Sequence, residues 1–421
     1  MRIAIGFLAL ACGSAAERPL PGAIEGVEPE AHSHHPPVCD RNGNLYRITE
    51  SPEADGNHPR MMKSSDGGRT WLEVDAGNRP AAYDLEGGWQ LQSGTAIYAS
   101  FTHDADVWWE AFHTSDAPDR PDRWVAEETI DSGLSEHDVD QFSSLARTSD
   151  GQFWAFYSDA LVESRQQIGY RRRSADGAWG AKSSVDLTSG SWTSPVSVTG
   201  SDDVTHLFYK DHLRHRLYWR TLGRDGTLSG PVRIDASGTS KAVTPQTNAV
   251  AFEDGARRQV IVIAFASAAG ILTSVTITGG AVGAERPIST ASVMENPGIT
   301  DNGGAVAHLA IDGTTVHALW SDATTGDIEH AVRAADGSWS AGRKAWASGK
   351  SEAHWVYAAV FERQRRRRLA HSSRRARGSA PRTARATRAA PAAGRGPGSA
   401  PPAAAGRAPR GAGCGARRAG R

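Results

Sequence analysis

Seven short segments spread along the chain are rich in residue types that can do chemistry on sugars. They are HSHHPPV (32–38), GGWQLQS (87–93), EHDVDQFSS (136–144), GSWTSPV (190–196), TPQTNAV (244–250), MENPGIT (294–300) and EAHWVY (352–357). Two carboxylates flanking a glycosidic bond can hydrolyse it. Tryptophan rings stack on sugar C–H faces, and amides hydrogen-bond sugar hydroxyls. The residue types indicate a carbohydrate site, provided that the fold brings the segments together.

Asp140 and Glu295 are the candidate catalytic carboxylates, and His137 is a further candidate. A separation of about 5–5.5 Å between the two carboxylates would suit a retaining glycosidase, and about 6.5–9.5 Å an inverting one. The candidate substrate-binding residues are His35, Trp89, Gln90, Trp192, Gln246, Asn248, His354 and Trp355. Any one of them is more often explained by packing or by capping of a strand end, whereas the set favours a glycan site.

Other chemistries can be weighed on the same segments. A polysaccharide lyase would use a histidine base such as His35 or His137, with basic residues to neutralise a uronate, which YKDHLRHRLYWR (209–220) would have to supply. A metal site could draw on His32, His34, His35 and Cys39, but their spacing matches no standard zinc pattern. We expect neither a metal nor a cofactor.

The elements that must position these residues are short β-strands. Apolar, aromatic and β-branched runs bounded by Gly or Asp recur about every 50–60 residues. They are NGNLYRITE at 42, SGTAIYASF at 93, DGQFWAFYSD at 150, DDVTHLFYKD at 202, RRQVIVIAFAS at 257 and DGTTVHALWSD at 312. No amphipathic helical stretch of useful length accompanies them, so the chain is expected to be all-β.

A second series of turns follows these strands. It comprises SSDGGRTW at 64, TSDAPDRPDRW at 114, SADGAWG at 174, GRDGTLSG at 223, ITGGAVG at 277 and AADGSWS at 334. One unit then contains four strands in about 50 residues, which is the pattern of a β-propeller. We predict four-stranded blades, six of them complete, with a truncated seventh beginning at EAHWVYAAVFE; a six-bladed ring is the alternative. In propellers, ligands bind where the first strands begin, and the seven segments lead into those strands.

The first of these turns has the order S-x-D-x-G-x-T-W, formed by Ser64, Asp66, Gly68, Thr70 and Trp71. An aspartate followed by glycines suits a tight turn, because the carboxylate accepts backbone N–H groups and glycine takes positive φ. The motif resembles the Asp-box repeat of the sialidase-like propellers, and with the repeat the resemblance covers about residues 30–362. In that family the motif marks the fold and not the activity.

The resemblance implies a hydrolase of the sialidase superfamily in the broad sense, acting on extracellular or cell-surface glycans. The alternatives are a non-catalytic surface propeller that binds glycan or protein, and a polysaccharide lyase. Strict sialidases clamp the substrate carboxylate with three arginines, and YRIT at Tyr46–Thr49 resembles part of that motif, with Arg47 as first clamp. Tyr357 would be the nucleophile. The seven segments contain no arginine, so strict sialidase activity is not expected.

Charge divides the chain sharply. Residues 363–421 contain 17 Arg and no Lys, Asp or Glu, which leaves 30 basic and 47 acidic residues in 1–362. A body near −17 argues against nucleic-acid binding, because phosphates would be repelled. The tail (363–421) cannot build a core; it is either a disordered basic tail or the product of out-of-frame translation.

The N-terminal segment MRIAIGFLALACGSAAERPLPG is typical of an export signal, with Arg2 before a short apolar core. Cleavage before Cys12 would give a lipoprotein, cleavage after Ala16 a secreted protein, and a buried N-terminal strand is the third interpretation. We therefore divide the chain into a signal (1–16), a linker (17–31), the propeller (32–362) and the tail. We expect an extracellular, periplasmic or envelope-anchored monomer without a disulfide framework, touching the membrane only through a lipid anchor.

Overall fold

In the computed structural model the chain divides into two units, residues 1–365 and residues 366–421. The structure describes residues 6–11, 37–40, 42–53, 56–68, 70–74, 86–103, 106–115, 122–132, 134, 143–162, 165–185, 192–211, 213–239, 249–293, 307–346 and 356–361. These residues form strands and turns, so the all-β prediction is confirmed for them. No helix in this part of the chain is long and apolar enough to cross a membrane.

Six antiparallel blades, each built in chain order, account for most strands. β1 (Gly6–Ala11) precedes blade 1, which contains β2 (Val38–Cys39), β3 (Leu45–Glu53), β4 (Gly56–Ser64) and β5 (Leu72–Glu73). Blade 2 contains β6 (Glu86–Ser93), β7 (Ala96–His103), β8 (Asp106–His113) and β9 (Arg123–Asp131), and blade 3 contains β10 (Ser143–Arg147), β11 (Phe153–Val162), β12 (Arg165–Arg173) and β13 (Ser183–Ser184). Blade 4 contains β14 (Trp192–Thr199), β15 (Thr205–Asp211), β16 (Arg216–Leu222) and β17 (Val232–Arg233). Blade 5 contains β18 (Ala249–Glu253), β19 (Gln259–Ala266), β20 (Ile271–Thr278) and β21 (Ala281–Val282), with the extra strand β22 (Arg286–Ser292) pairing β20. Blade 6 contains β23 (Ala307–Asp312), β24 (Thr315–Ser321), β25 (Ile328–Arg333) and β26 (Arg343–Trp346), and β27 (Val356–Phe361) follows.

The second strand of each blade is one of the apolar runs predicted from the sequence. In β11, Phe153 and Tyr157 pack towards blade 2, whereas Trp154 and Phe156 pack towards blade 4. A strand covered on both faces is apolar at nearly every position, which explains why these runs stand out in the sequence. The four-strand repeat predicted from these runs is confirmed.

The adjacent tryptophans Trp108 and Trp109 in β8 illustrate the same principle. Trp109 is 2% exposed, and its ring meets Phe153 of blade 3 edge to face at 5.8 Å between centroids. Trp108 packs on the opposite face, against the cluster that contains Tyr46 of blade 1. The pair therefore belongs to the inter-blade core and not to a ligand site.

The turn that follows β4 forms as its sequence predicts. Asp66 Oδ1 accepts the Ser64 hydroxyl at 2.8 Å and the Thr70 backbone N–H at 3.0 Å, while Asp66 Oδ2 accepts the Thr70 hydroxyl at 2.7 Å. Gly67 and Gly68 have φ of 81° and 91°, a conformation that favours glycine. The motif is a structural turn, and each of these hydrogen bonds is local.

The first strands of the blades contact one another in the order β2, β6, β10, β14, β18 and β23, and β27 lies between β23 and β2. β27 pairs in parallel with β1 and belongs to a two-stranded sheet. The prediction of seven blades is therefore corrected to six in the described residues, because the strand expected to open a seventh blade pairs with the N-terminal strand. A strand over Gly6–Ala11 corresponds to the third interpretation of the N-terminal segment.

Candidate functional site

The two faces of the propeller follow from the chain order within a blade. We call the face where first strands begin the upper face; second strands end there and third strands begin there. The turns between first and second strands, and between third and fourth strands, lie on the opposite, lower face. The predicted sugar-binding segments precede first strands in the chain, so the prediction assigns them to the upper face.

Three of the predicted substrate-binding residues lie in described strands. Trp89 and Gln90 belong to β6, where they pair with Ser100 and Ala99 of β7. Trp192 is the first residue of β14, and it pairs with Asp211 at the end of β15. All three therefore lie on first strands, and Trp192 lies at the upper edge of blade 4.

The remaining predicted site residues lie outside the described residues, and their assignment stays a prediction. They are the catalytic candidates His137, Asp140 and Glu295 and the binding candidates His35, Gln246, Asn248, His354 and Trp355. The predicted nucleophile Tyr357 lies in β27, where it pairs with Phe7 of β1.

Buried hydroxyls connect neighbouring blades near the start of β10. Ser143 donates to the Ser100 hydroxyl at 3.0 Å, and the Ser144 and Ser197 hydroxyls lie 2.7 Å apart. Ser144 Oγ also accepts the backbone N–H of Ser197 at 2.9 Å. Because these serines are 0–4% exposed, they join β10 to β7 and to β14 and are not available to a ligand. Nothing in the sequence distinguished them from other strand serines.

A network of charged and polar side chains joins blade 2 to blade 3. Asp131 ends β9, and its Oδ2 atom accepts the Tyr157 hydroxyl at 2.7 Å. Lys182 Nζ lies 2.9 Å from Asp131 Oδ2 and 2.7 Å from Asp159 Oδ2. Gln167 donates to the same Asp159 oxygen at 2.9 Å. No sequence pattern indicated this network, because its members lie far apart in the chain.

The pKa shifts in this network favour the ionised form of Asp131 and the protonated form of Lys182. Burial acts to raise the pKa of Asp131, but the hydrogen bonds from Lys182 and Tyr157 outweigh it, so the pKa lies below its ordinary value. Burial acts to lower the pKa of Lys182, and the bonds to Asp159 and Asp131 raise it overall. The pKa of Tyr157 is raised by burial and by Asp131, so its hydroxyl stays protonated.

This network suits a structural role better than a catalytic one. The Tyr157 side chain is fully buried, and Asp131 and Asp159 are below 10% exposed. An activated tyrosine nucleophile would need a lowered pKa and access to substrate, and Tyr157 has neither. The charges of the two carboxylates are offset by Lys182 and by Arg171, whose Nη2 lies 3.8 Å from Asp131 Oδ1.

Arg47, the candidate first clamp of the sialidase resemblance, does not reach the upper face. It lies in β3 with 1% of its surface exposed, and its guanidinium carbon lies 4.6 Å from the ring centre of Trp71. Trp71 follows the turn between the third and fourth strands, on the lower face. The assignment of Arg47 as a substrate clamp is therefore wrong, because its guanidinium packs inside blade 1.

Cys39 and the histidines were the candidate metal ligands. Burial raises the pKa of the Cys39 thiol to about 12, with Asp40 adding to the effect, so the metal-free thiol is protonated at neutral pH. His32, His34 and His35 lie outside the described residues. Within the described ranges, no group of three or more histidine, cysteine or acidic residues is arranged to hold a metal ion.

The turn between β15 and β16 brings basic residues to the upper face. Arg214 and Arg216 follow Asp211 here, and Arg214 Nη1 lies 2.8 Å from Asp211 Oδ2. The segment YKDHLRHRLYWR thus reaches the face where the lyase hypothesis required it. Trp192, Asp211 and Arg216 are consecutive partners across the three strands of blade 4.

Comparison with known proteins supports the fold alone. No protein-family profile and no curated protein sequence matches this chain. Among solved structures, AofleA from Arthrobotrys oligospora has a TM-score of 0.50 at 8% identity, covering 76% of this chain and 90% of that chain. The α-L-arabinanase of Penicillium chrysogenum has a TM-score of 0.46 at 14% identity, covering 76% and 93%. A Hadza microbial sialidase has a TM-score of 0.43 at 12% identity, covering 72% and 68%.

The six blades define the class of the protein. It is a β-propeller, in agreement with its similarity to AofleA. At such low identity the resemblance assigns no substrate and no catalytic residue to this chain.

Proposed function

We propose that this propeller is an exported glycosidase, a sialidase-superfamily hydrolase in the broad sense, that acts on extracellular or cell-surface glycans at its upper face. One observation carries the proposal. The first strands contact one another in sequence around the fold, and segments bearing tryptophan, amide and carboxylate residues lead into them. A ring of this kind brings residues far apart in the sequence to one binding surface.

In the proposed mechanism Asp140 and Glu295 share the work of hydrolysis. One carboxyl group protonates the leaving oxygen, while the other activates water or attacks the sugar directly. Trp89 and Trp192 stack on sugar rings, and Gln90 with the other amides orients the hydroxyls. Direct attack would retain the anomeric configuration, and attack through water would invert it, so product stereochemistry reports the spacing of the carboxylates.

The first experiment is a glycan digest with the full chain. Sialylated glycans, uronate polysaccharides and neutral plant or microbial polysaccharides are incubated separately, and the products are analysed by mass spectrometry. A gain of one water per cleavage supports the hydrolase. An unsaturated product would instead identify a lyase and direct attention to His35 and His137. Binding without any product would identify a non-catalytic propeller.

Two carboxylate substitutions test the catalytic assignment. Asp140→Asn and Glu295→Gln should each reduce kcat at least about a hundredfold while leaving the Kd for the glycan nearly unchanged. Asp225→Asn is the matched control, because Asp225 lies in an exposed lower-face turn that asparagine can also form. If both substitutions leave turnover at the level of the control, the proposed residues are not the catalytic pair.

Export is part of the proposal and has its own test. Mass spectrometry of the N-terminus of the cell-produced protein distinguishes lipidated Cys12 from cleavage after Ala16. An intact Met1 would contradict export by this signal and would favour the strand β1 as a permanent partner of β27.

A further inference from the structure

The upper face of blade 4 carries a basic turn, formed by residues 211 and 213–216 between β15 and β16. The Arg214 side chain is 44% exposed and Arg216 is also exposed. Leu213 beside them is 63% exposed. Two guanidinium groups are therefore accessible to solvent at the face where the proposed glycan site lies.

Hydrogen bonds hold the backbone of the basic turn. Asp211 is fully buried, and its Oδ1 atom accepts the backbone N–H groups of Leu213 at 3.1 Å and Arg214 at 3.3 Å. The carbonyl oxygen of His215 accepts the N–H of Thr239 at 2.9 Å. A turn that is ordered before binding loses little conformational entropy when it meets a ligand.

The position of the turn relates it to the proposed sugar site. Trp192, Asp211 and Arg216 pair across the first three strands of blade 4. Neighbouring strands lie about 4.8 Å apart, so the backbones of Trp192 and Arg216 are separated by roughly 10 Å. That distance is of the size of one or two sugar units, and one ligand can span both positions.

The basic residues are not required to form the turn. In blade 6 the corresponding turn begins with Asp322, whose Oδ1 atom accepts the N–H groups of Thr324 and Thr325 at 2.9 Å each. That turn contains no basic residue, and the blade 5 turn at 267–270 reads Ser-Ala-Ala-Gly. The backbone of such a turn therefore forms without arginine. Arg214 also pairs with the fully buried Asp211, as Lys182 pairs with the equivalent Asp159 of blade 3. Arg216 forms no ion pair among the described residues, so the fold does not explain it.

The charge distribution of the chain indicates what kind of ligand these arginines bind. The body of the chain is strongly acidic, so an anionic ligand needs a local concentration of positive charge. Arginine presents paired N–H donors that match the two oxygens of a carboxylate. We propose that the basic turn binds the carboxylate of an acidic sugar unit, so that the substrates are carboxylated glycans. This inference rests on the proposed function and narrows it to one substrate class.

The test measures binding of short oligosaccharides to the full chain by calorimetry. The probes are trigalacturonate and its fully methyl-esterified form, which differ only in the free carboxylates, and sialyllactose with lactose as the second pair. The variants are Arg214→Gln/Arg216→Gln and the control Arg258→Gln. Arg258 also forms an exposed ion pair within a turn, with Asp254 at 2.7 Å, but on the lower face. The Arg-rich tail is present in every variant, so only the change in preference between the wild type and a variant is assigned to the basic turn.

We expect at least one carboxylated probe to bind about tenfold or more tightly than its neutral counterpart, as one or two charge-assisted hydrogen bonds would give. The double variant should lose that preference, and Arg258→Gln should keep it. The pair that shows the preference identifies the sugar as a uronate or a sialate. If the double variant does not fold, Arg216→Gln alone, which preserves the Arg214–Asp211 pair, should still reduce the preference.

Two results would overturn the inference in different ways. Equal binding of acidic and neutral probes, or a preference of unchanged size in the double variant, refutes the carboxylate site and leaves the proposed glycan function intact. A folded wild-type chain that binds none of the saccharides refutes both.

Discussion

Replacing Lys182 by methionine should weaken the packing of blade 3 against blade 2. The substitution keeps the length of the side chain and removes the ammonium group that lies 2.7 Å from Asp159 and 2.9 Å from Asp131. Both carboxylates are nearly buried, so they would lose their principal cation without gaining water. The remaining cation, Arg171, lies 3.8 Å from Asp131 and can offset only part of the loss.

The magnitude lies between the values for surface and buried ion pairs. Exposed pairs contribute about 0–1 kcal/mol, and removing one partner of a buried pair costs about 3–5 kcal/mol. Lys182 is 32% exposed, whereas the two carboxylates are 8–10% exposed. Because Lys182 is partly exposed, solvent screening makes the cost smaller than for a fully buried ion pair. We therefore expect a loss of about 2–3 kcal/mol in the free energy of unfolding at neutral pH.

The assay is urea denaturation of the full chain at several pH values. The pKa of Asp131 is lowered in the folded protein, so its contribution is present above the unfolded pKa and is lost as pH falls through the folded pKa. The difference between wild type and Lys182→Met should therefore shrink below about pH 4. Arg258→Gln, which breaks an exposed pair, is the control. A loss no larger than that of the control at pH 7 would refute the reasoning.

Two further predictions concern packing and protonation. Gly169→Ala should destabilise the protein by about 1–3 kcal/mol, because a Cβ at this position would lie 2.6 Å from Tyr157 Cε2. Gly230→Ala is the control and should be neutral, because a Cβ there meets no atom within 4 Å. Thermal melts of both variants check this, and equal melting temperatures would contradict it. His206 Nδ1 accepts the Trp219 indole N–H at 3.1 Å, and burial lowers the His206 pKa to about 4. The unfolded chain therefore binds the proton more readily, and stability should fall as pH drops from about 6.5 to 4. His206→Asn keeps an acceptor without titrating, so its stability should depend less steeply on pH in this range; an unchanged slope would exclude His206 as the cause.

The sequence predicted the repeated parts of the fold because their causes are local. The second strands, such as β19 (Gln259–Ala266), are covered on both faces and are apolar almost throughout. The turn around Asp66 closes through hydrogen bonds that span no more than four residues. The hydrophobic pattern of a strand and the residue types of a turn can both be recognised in a short window of sequence.

The number of blades could not be predicted in the same way. The segment at Val356–Phe361 has the composition of a first strand and is a strand, yet it pairs with Gly6–Ala11. The composition of that N-terminal segment equally suited an export signal. Which of two distant segments pairs with an edge strand depends on contacts across the whole chain, and a local pattern does not contain them.

The candidate site likewise contains residues that local patterns could predict and residues that they could not. The positions of Trp89, Gln90 and Trp192 on first strands followed from the repeat, whereas Asp140 and Glu295 remain predictions. The network around Lys182 was missed, because it depends on which faces of blades 2 and 3 meet. Arg47 was misassigned, because a three-residue resemblance contains no information about burial.

A repeat protein offers a way to separate packing from function. Positions that recur in several blades, such as the aromatic residues Tyr157 and Tyr209 or the capping residues Asp211 and Asp322, are explained by the inter-blade core and by the turns. A residue that departs from the repeat while the local fold is preserved has no such explanation. Arg216 meets this condition, since the turns of blades 5 and 6 form without an arginine, and for that reason the upper edge of blade 4 is where substrate recognition should first be tested.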